Sequence, residues 1–399
     1  MCECSGEAAP NNGRHKIIPV SQAVGCVLAH DITEIRKGEF KGAAFRRGHI
    51  VTENDIPHLE KLGKEHLYVL NIADDEMHED EAAWEIARIL KGDGVEVQGE
   101  PKEGKINLIA TRDGLLKINT HALFEFNMHG ELMCSTLHNN TMVNNGQIVA
   151  GARAIPLVIK KALIERASAV IYSYSNGKGI IEVKELRKFH AGIVITGNEV
   201  FYGKIKDTFA SVIKNKLKAF GGEIINLFYA PDDADFIEKR LLELIDAGAE
   251  LLIVTGGMSV DPDDVSRFAI GKIAQEVTYG SAVLPGAMFL VAYYQKTGFR
   301  KQTSVNRLFD IAKGKPDTEN LDSSIPSVHL LPKSDNTSNI PILGIPACGM
   351  YHKTTVFDLV LPRILAGESI GRKELAELGH GGLCLNCREC RYPLCPFGK

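Results

Sequence analysis

Apolar runs alternate with amphipathic stretches in the C-terminal half of the chain. Ala191–Thr196 and Leu251–Thr255 are continuous apolar runs of strand length, which is typical of parallel strands buried on both faces. Glu223–Tyr229 lies between them and is a third candidate strand. Phe209–Phe220 and Asp235–Ala247 carry apolar residues at helical spacing. This order predicts a parallel sheet that is covered by helices on both faces.

Two further strands and a helix complete this predicted domain. The strands are expected at Ala287–Tyr294 and Ile340–Ile345, and Thr354–Leu365 has the apolar stripe of a closing helix. Between the two strands, residues 295–339 are rich in Lys, Ser, Asp, Asn and Thr, which indicates an inserted, functional or disordered segment. We therefore predict that residues 189–370 form a three-layer α/β domain built on a parallel sheet.

The N-terminal half is predicted to be strand-rich and α+β in character. Residues 1–15 are small and polar, and we expect them to be disordered. Residues 16–75 contain short apolar runs between glycines, a short helix at Ile56–Leu62 and a strand at His66–Leu70. Residues 76–188 form a second mixed region, in which Ala82–Leu90 has helical spacing.

Charge and hydropathy exclude several classes of partner. The 399 residues carry a net charge of -4, which gives no electrostatic basis for binding nucleic acid or an anionic membrane. No apolar run approaches the ~20 residues of a membrane span. The N-terminus lacks the apolar core of a secretory signal. We therefore expect a soluble cytoplasmic protein with no nucleic-acid or membrane partner.

The segment after the strand that ends at Thr255 has the composition of an anion site. Gly256 and Gly257 let backbone N–H groups approach an anion, and Ser259 adds a hydroxyl, which suits a phosphate. The predicted fold gathers five carboxylates at the same sheet edge: Glu199, Asp207, Asp261, Asp263 and Asp264. Carboxylates beside a phosphate favour Mg²⁺ between them. The alternative interpretation is a simple turn and helix start.

Five motifs in order resemble the molybdopterin-binding domain of molybdenum-cofactor biosynthesis proteins. They are TGNEV (196–200), the helix start at Asp207-Thr208, TGGMSVDPDD (255–264), LPGAMF (284–289) and GIPACGMYHKTTVFDLVLPRIL (344–365). The resemblance covers about residues 190–295 and 340–367. The segments VSQAVGCVLAHDI (20–32) and GHIVTENDIPHLEKLGKEHLYVL (48–70) also look similar to the N-terminal part of the molybdenum insertases.

The resemblance implies roles for particular residues. Asp207 and Asp264 match the two acidic positions tied to catalysis, where they would hold Mg²⁺ or molybdate. The residues that it implies for cofactor binding are Gly197, Glu199, Thr255, Gly256, Gly257, Ser259, Asp261, Pro346 and Gly349. Two positions depart from the insertase pattern: Pro262 replaces an acidic residue, and Cys348 stands where the family often has Asn or a small residue.

The resemblance also implies a function in molybdenum-cofactor biosynthesis. The expected activity is that of a molybdopterin molybdenumtransferase, which inserts molybdate into molybdopterin or adenylylated molybdopterin in a Mg²⁺-dependent step. The alternative is a non-catalytic molybdopterin carrier, or a maturation factor for a molybdenum hydroxylase with that enzyme as partner. Relatives often self-associate, so a homo-oligomer is expected.

A cysteine-rich tail, residues 371–399, follows the predicted domain. Cys384, Cys387, Cys390 and Cys395 have the spacing C-x2-C-x2-C-x4-C, and thiols stay reduced in the cytoplasm. Thiolates at such spacing can hold a zinc ion or an iron–sulfur cluster. One alternative is a flexible, reactive tail. Another is an iron–sulfur electron-transfer protein, but this interpretation leaves the larger domain without a function.

Overall fold

The computed structural model describes residues 15–36, 40–70, 72–259, 261, 263–296 and 339–399. They fall into two compact units, one containing residues up to Leu137 with Val143–Val183, the other containing His138–Met142 with Lys184–Lys399. The predicted disordered segment 1–15 lies outside the described residues except for His15, and the predicted insertion 295–339 lies outside them except for its ends. The predicted boundary at residue 75 stays a prediction.

Short β-sheets and four α-helices make up most of the described chain up to residue 184. The strands up to residue 184 are β1 (His15–Pro19), β2 (Val27–Leu28), β3 (Ile32–Arg36), β4 (Phe40–Phe45), β5 (His66–Leu70), β6 (Glu76–His78), β7 (Val95–Lys102), β8 (Lys105–Ala110), β9 (Gly114–Ile118), β10 (Leu132–Thr136), β11 (Thr141–Val143), β12 (Ile148–Ala154), β13 (Val158–Lys160) and β14 (Ile181–Lys184). The helices are α1 (Ile56–Lys61), α2 (Glu79–Leu90), α3 (Thr120–Asn127) and α4 (Lys161–Ser175).

Two cores support this unit. One lies beside the sheet β1-β5-β2, where α1 buries Leu59 completely. The other lies beneath the sheet β10-β12-β8-β7 and includes the apolar face of α2, with Ile86 and Leu90 fully buried. The helices and strands expected near residues 56, 66 and 82 are therefore present, and their apolar positions face the interior as the sequence pattern requires.

The second unit contains the six-stranded sheet that carries the candidate site. Its elements are β15 (His190–Thr196), α5 (Asn198–Phe201), α6 (Phe209–Ala219), β16 (Glu223–Ala230), α7 (Ala234–Asp246), β17 (Leu251–Thr255), α8 (Ser266–Ile273), β18 (Glu276–Tyr279), β19 (Leu290–Gln295), β20 (Asn339–Ile345), α9 (Cys348–Tyr351), α10 (Val356–Leu365) and α11 (Arg372–Glu377). The strand order is β16-β15-β17-β20-β19-β18.

The predicted three-layer α/β architecture is confirmed. Ile193 of β15 packs in a core with residues of α6 and α10, whereas Val194 packs in a second core with residues of α7 and α8. Successive residues of one strand are thus buried on opposite faces of the sheet, which explains the unbroken apolar run in the sequence. Helix α10 begins at a capping box, in which the Thr355 N–H donates to the Asp358 carboxylate over 2.7 Å.

The sheet is mixed rather than wholly parallel. β16, β15, β17 and β20 run parallel, whereas β19 pairs with β20 and with β18 in antiparallel register. The expected strand at Ala287–Tyr294 begins only at Leu290, because the preceding residues form a turn closed by the Phe289 N–H and the Gly286 carbonyl, 3.0 Å apart. No helix in the described ranges has the length and apolar character needed to cross a bilayer.

Candidate functional site

A pocket of about 1140 Å³ lies at the carboxyl ends of the four parallel strands. The residues that follow each strand line the pocket: Gly197 and Glu199 after β15, Asp232 after β16, Gly256–Ser259 after β17 and Pro346–Cys348 after β20. This is the edge at which parallel α/β sheets bind their ligands. The fold therefore defines the class of protein as a three-layer α/β domain with a ligand pocket at its strand ends.

The glycine pair after β17 is required by its surroundings. Gly256 and Gly257 have φ values of 86° and 59°, in the left-handed region that side chains disfavour. A Cβ on Gly256 would lie 2.7 Å from the Thr196 carbonyl oxygen, and one on Gly257 would lie 2.5 Å from Ser266 Oγ. Both positions therefore need glycine, and the backbone of this loop lies against β15 and α8.

Hydrogen bonds hold the glycine loop in place. The Thr196 hydroxyl donates to the Thr255 carbonyl oxygen over 3.0 Å and lies equally close to Ser266 Oγ. The Tyr279 hydroxyl donates to the Met258 carbonyl oxygen over 2.6 Å. The Thr255 hydroxyl is buried, and within the described ranges it has no hydrogen-bond partner. Buried, directed hydrogen bonds of this kind restrict the conformation of Thr255–Met258.

Asp264 and Asp207 are both held by backbone amides. The Ser259 N–H donates to Asp264 Oδ2 over 2.7 Å, so this carboxylate closes the loop on itself. Asp207 accepts the N–H groups of Phe209 and Ala210, at 2.8 and 3.1 Å, and thereby caps α6. The Tyr229 hydroxyl also donates to Asp207 Oδ2 over 3.1 Å. The two predicted catalytic carboxylates therefore have fixed positions in the pocket wall.

Asp232 is a pocket residue that the sequence analysis did not include. It forms a reciprocal pair with Asn198: the Asn198 N–H donates to Asp232 Oδ2 at 3.0 Å, and the Asp232 N–H donates to Asn198 Oδ1 at 3.2 Å. Burial raises the pKa of the Asp232 carboxyl, and the nearby Glu199 and Asp264 raise it further against the Asn198 hydrogen bond. Its position directly after β16, at the same sheet edge, is the sequence signal that could have identified it.

Most, but not all, of the predicted site residues line the pocket. Those that do are Gly197, Glu199, Asp207, Gly256, Gly257, Ser259, Asp264 and Pro346. Thr255 and Gly349 are buried behind the wall. Asp261 is exposed, and its carboxylate accepts the Asp263 N–H over 3.1 Å. Asp261 thus stabilises a local turn, which was the alternative interpretation of this acidic run.

The pocket wall is acidic. It contains Glu199, Asp207, Asp232 and Asp264, whereas Lys206 is the only Lys or Arg among its lining residues in the described chain. Carboxylate oxygens are suitable ligands for Mg²⁺, which proteins usually hold with one or two carboxylates and the phosphate oxygens of a ligand. No group of three or more His, Cys, Asp or Glu side chains within the described ranges is arranged to hold a metal alone. The donor set therefore fits Mg²⁺ shared with a phosphorylated ligand.

A second, smaller cavity lies in the tail of the same unit. Its volume is about 220 Å³, and its wall contains all four predicted metal ligands: Cys384, Cys387, Cys390 and Cys395. Cys387 is exposed and the other three are half-buried. We call this the thiol cavity. All four cysteines line this cavity, but within the described part of the chain no three of them are placed to hold a metal ion together.

Two segments of the chain match known family models. Residues 192–366 match a family model described as a probable molybdopterin binding domain, and residues 17–71 match a domain of unknown function. Residues 192–366 are thus similar to molybdopterin-binding domains, and they make up less than half of the chain.

Individual relatives match only parts of the chain. The molybdopterin molybdenumtransferase of Haemophilus influenzae is 30% identical over 128 residues, which are 30% of this chain and 31% of that protein. A CinA-like protein of a Geobacter species is 38% identical over 82 residues, 21% of this chain and 20% of its own length. The chain thus spans less than a third of either relative. The crystal structure of the molybdopterin biosynthesis enzyme MoaB of Thermus thermophilus aligns with 45% of this chain and 98% of its own, at 20% identity and a TM-score of 0.28.

Proposed function

We propose that the chain acts in molybdenum-cofactor biosynthesis and binds molybdopterin, or its adenylylated form, in the acidic pocket. The observation that carries this proposal is the meeting of a glycine loop and four carboxylates in one pocket at the strand ends. The glycine loop suits the phosphate of the ligand, and the volume of about 1140 Å³ accommodates a pterin with an attached nucleotide. The family model that residues 192–366 match supports the same ligand class.

The four carboxylates of the pocket wall would need a cation beside a bound phosphate. Asp207 and Asp264, with Glu199 and Asp232 beside them, would hold Mg²⁺ together with phosphate oxygens of the ligand. When bound, Mg²⁺ supplies the positive charge that lets a phosphate lie beside four carboxylates. Because α6 amides and the Tyr229 hydroxyl fix Asp207, little reorganisation accompanies ligand binding at that side chain.

The reaction that we propose is molybdate insertion. Molybdate is the substrate that reacts with the two dithiolene thiols of adenylylated molybdopterin: two Mo–S bonds form, and one oxo ligand leaves as water with the two thiol protons. A further water molecule hydrolyses the nucleotide phosphate link, which releases AMP and the metal-loaded cofactor. Ser259 and the glycine loop bind the phosphate side of the ligand. Asp207 and Asp264 orient that link, one from the start of α6 and the other from just before α8.

A turnover assay tests this proposal. Purified full-length protein is incubated with adenylylated molybdopterin, molybdate and Mg²⁺, and AMP release and metal-loaded cofactor are measured. We expect AMP release that stops on addition of EDTA and restarts with excess Mg²⁺. Absence of both AMP release and ligand binding contradicts the proposal.

A second candidate function is that of a molybdopterin carrier or a maturation factor for a molybdenum hydroxylase. The observation in its favour is the acidic loop, in which Asp261 is exposed and takes no part in the pocket wall. One carboxylate fewer at the ligand favours binding over turnover. In the same assay, this function gives tight binding of the cofactor without AMP release.

The tail and the assembly state belong to the same proposal. Four thiols around one cavity support a zinc ion or an iron–sulfur cluster as the tail's ligand. Reduced thiols suit a cytoplasmic setting.

We also propose a homo-oligomer, which sedimentation analysis of the full chain tests directly.

A further inference from the structure

The tail is hydrogen-bonded to the wall of the acidic pocket. The Leu284 N–H donates to the Gly382 carbonyl oxygen over 2.8 Å, and the Cys384 N–H donates to the Leu284 carbonyl oxygen over 2.8 Å. These two bonds form a parallel β-bridge between Leu284 and Leu383. Leu284 lines the acidic pocket, and Leu383 and Cys384 line the thiol cavity. The two cavities are therefore adjacent, and the bridge between Leu284 and Leu383 lies between them.

Helix α9 and the residues after it provide a second connection. Tyr351, the last residue of α9, lines both cavities, and its side chain is 76% exposed. Three residues later, Thr354 Oγ1 lies 3.4 Å from Cys390 Sγ. The Val356 N–H donates to the Pro285 carbonyl oxygen over 3.3 Å, which joins the start of α10 to the pocket loop. A movement of the tail therefore reaches the pocket loop from two sides.

Metal binding requires such a movement. Zinc–thiolate bonds are about 2.3 Å long, and a four-thiolate site is compact. Here all four thiols belong to residues that line a cavity of about 220 Å³, but within the described chain no three of them are placed to hold an ion together. The thiols must close on an ion to bind it, and residues 382–395 must shift with them. Leu284 is bonded to this segment at Gly382 and Cys384, so the shift is transmitted to it.

We propose that the thiol cavity binds a soft divalent metal ion, and that this binding controls the shape of the adjoining acidic pocket through Leu284 and Tyr351. The four thiols lose their protons as the metal–sulfur bonds form, so binding releases protons. Metal and pocket ligand then influence each other's affinity reciprocally. The proposal deepens the proposed function by naming a regulation of its site, and only the identity of the pocket ligand rests on that function.

The metal site is tested first, with Zn²⁺ as the probe. Zinc affinity of the full-length protein is measured by competition with a chromophoric chelator, and thiol protection is counted by alkylation. We expect four protected thiols, and we expect Cys387→Ser to weaken zinc binding by at least about 10-fold. Cys387 is exposed, so this change leaves the core intact. Cys26→Ser removes a thiol from the first unit and is the matched control, with unchanged affinity. Equal zinc affinity in all three proteins overturns the metal site.

The coupling is tested by hydrogen exchange without any pocket ligand. Exchange is followed in peptides that cover residues 281–289 and 348–355, with and without Zn²⁺. We expect zinc to slow exchange of the Leu284 amide by about tenfold in the native protein and to have no effect in Cys387→Ser. A peptide from α7 serves as the internal reference. Zinc binding with unchanged exchange at residues 281–289 overturns the coupling.

These outcomes are separate from those of the turnover assay. Failure of the pocket to bind molybdopterin contradicts the proposed function but leaves the zinc-dependent exchange at Leu284 intact. Conversely, the protein could show turnover while zinc leaves the hydrogen exchange of residues 281–289 unchanged. That result supports the proposed function and contradicts the coupling.

Discussion

The acidic pocket and the thiol cavity lie in the same unit but are built from different kinds of structure. The pocket wall follows directly from the ends of four parallel strands, and its key carboxylates, Asp207 and Asp264, accept hydrogen bonds from backbone amides. The thiol cavity is lined by residues 351–354 and by the tail, in which the residues after α11 contain no described helix or strand. Strand ends position the pocket side chains directly, whereas the tail is held by the packing of Phe397 in the core and by single hydrogen bonds.

This difference teaches where each cavity obtains its specificity. The side chains of the acidic pocket are already ordered in the folded protein. Ligand binding therefore loses little free energy to ordering them. In the thiol cavity, the proposed metal binding requires the thiols to approach one another, so binding and local rearrangement are coupled. The pocket should therefore respond sharply to changes in single side chains, and the tail should respond to the presence of metal.

The largest expected contrast is between a core thiol and a tail thiol. Burial raises the pKa of Cys134 to about 12, and its side chain is 2% exposed, whereas Cys387 is exposed. At pH 8 in metal-free protein, we expect Cys387 to be alkylated at least about 1000-fold faster, since Cys134 reacts only when the fold opens. Mass spectrometry of the alkylated peptides measures both rates. Comparable rates contradict the assigned burial of Cys134.

A charge change at Asp207 gives the next largest effect. Asp207→Asn keeps a side chain that can cap α6 but removes the negative charge. We expect the rate of AMP release to fall on the order of 100-fold or more, with little change in Tm. Asp207→Ala is the structural control, because it loses the cap as well and should lower stability by about 1 kcal/mol. Full activity in Asp207→Asn contradicts a role of this charge in the reaction.

The glycine loop is tested by a pair of glycine substitutions. Gly257→Ala places a Cβ 2.5 Å from Ser266 Oγ at a positive φ, so we expect ligand affinity to fall about tenfold and stability to fall by about 1–2 kcal/mol. Gly271 lies within α8, and a Cβ there meets nothing within 4 Å. Gly271→Ala should therefore raise stability slightly and leave binding unchanged. Equal effects of the two changes contradict the close packing of the loop.

The smallest effect is expected at Asp232 and depends on pH. Burial first, and then Glu199 and Asp264, raise the pKa of this carboxyl above its ordinary value of 3.8. The folded chain thus holds this proton more tightly than the unfolded chain does, so stability falls as the pH rises from that value through the raised pKa. Asp232→Asn should remove this fall and raise Tm at pH 7 by about 2 °C.

The same substitution changes the pH dependence of magnesium binding. A protonated Asp232 does not bind a cation, so Mg²⁺ affinity in the native protein should decrease as the pH falls through the raised pKa. Asp232→Asn should bind Mg²⁺ a few-fold more weakly at pH 7 and lack this step. Calorimetric titrations from pH 4 to pH 7 test both expectations, and an identical pH profile in the variant contradicts a role for Asp232.

The sequence identified those parts of the fold that depend on local pattern. The buried strands at β15 and β17 were predictable because both faces are apolar, and α10 because its stripe is regular. The antiparallel direction of β19 was not predictable, since direction depends on which strand it pairs with in space. That the loops after β15 and β17 meet at one sheet edge was predictable from motif and topology together, whereas the roles of their residues stay predictions.

Pairing in space also explains what was missed in the site. Asp232 lies in a polar loop with no motif of its own, and only its hydrogen bonds to Asn198 and its position after β16 bring it to the pocket. Asp261 shows the opposite case: it lies within a strong motif, but its side chain folds back on its own turn. The connection of the tail to Leu284 involves residues about 100 positions apart, which no local pattern reveals.

Equilibrium binding of adenylylated molybdopterin to the full-length protein, measured with Mg²⁺ and with EDTA, is the most direct test of the acidic pocket. Four carboxylates around a phosphate-binding loop predict that Mg²⁺ strengthens binding by at least about tenfold, and that Asp207→Asn removes most of this gain. Equal affinity in Mg²⁺ and in EDTA, in both proteins, contradicts the account of the pocket as a cation-dependent phosphate site.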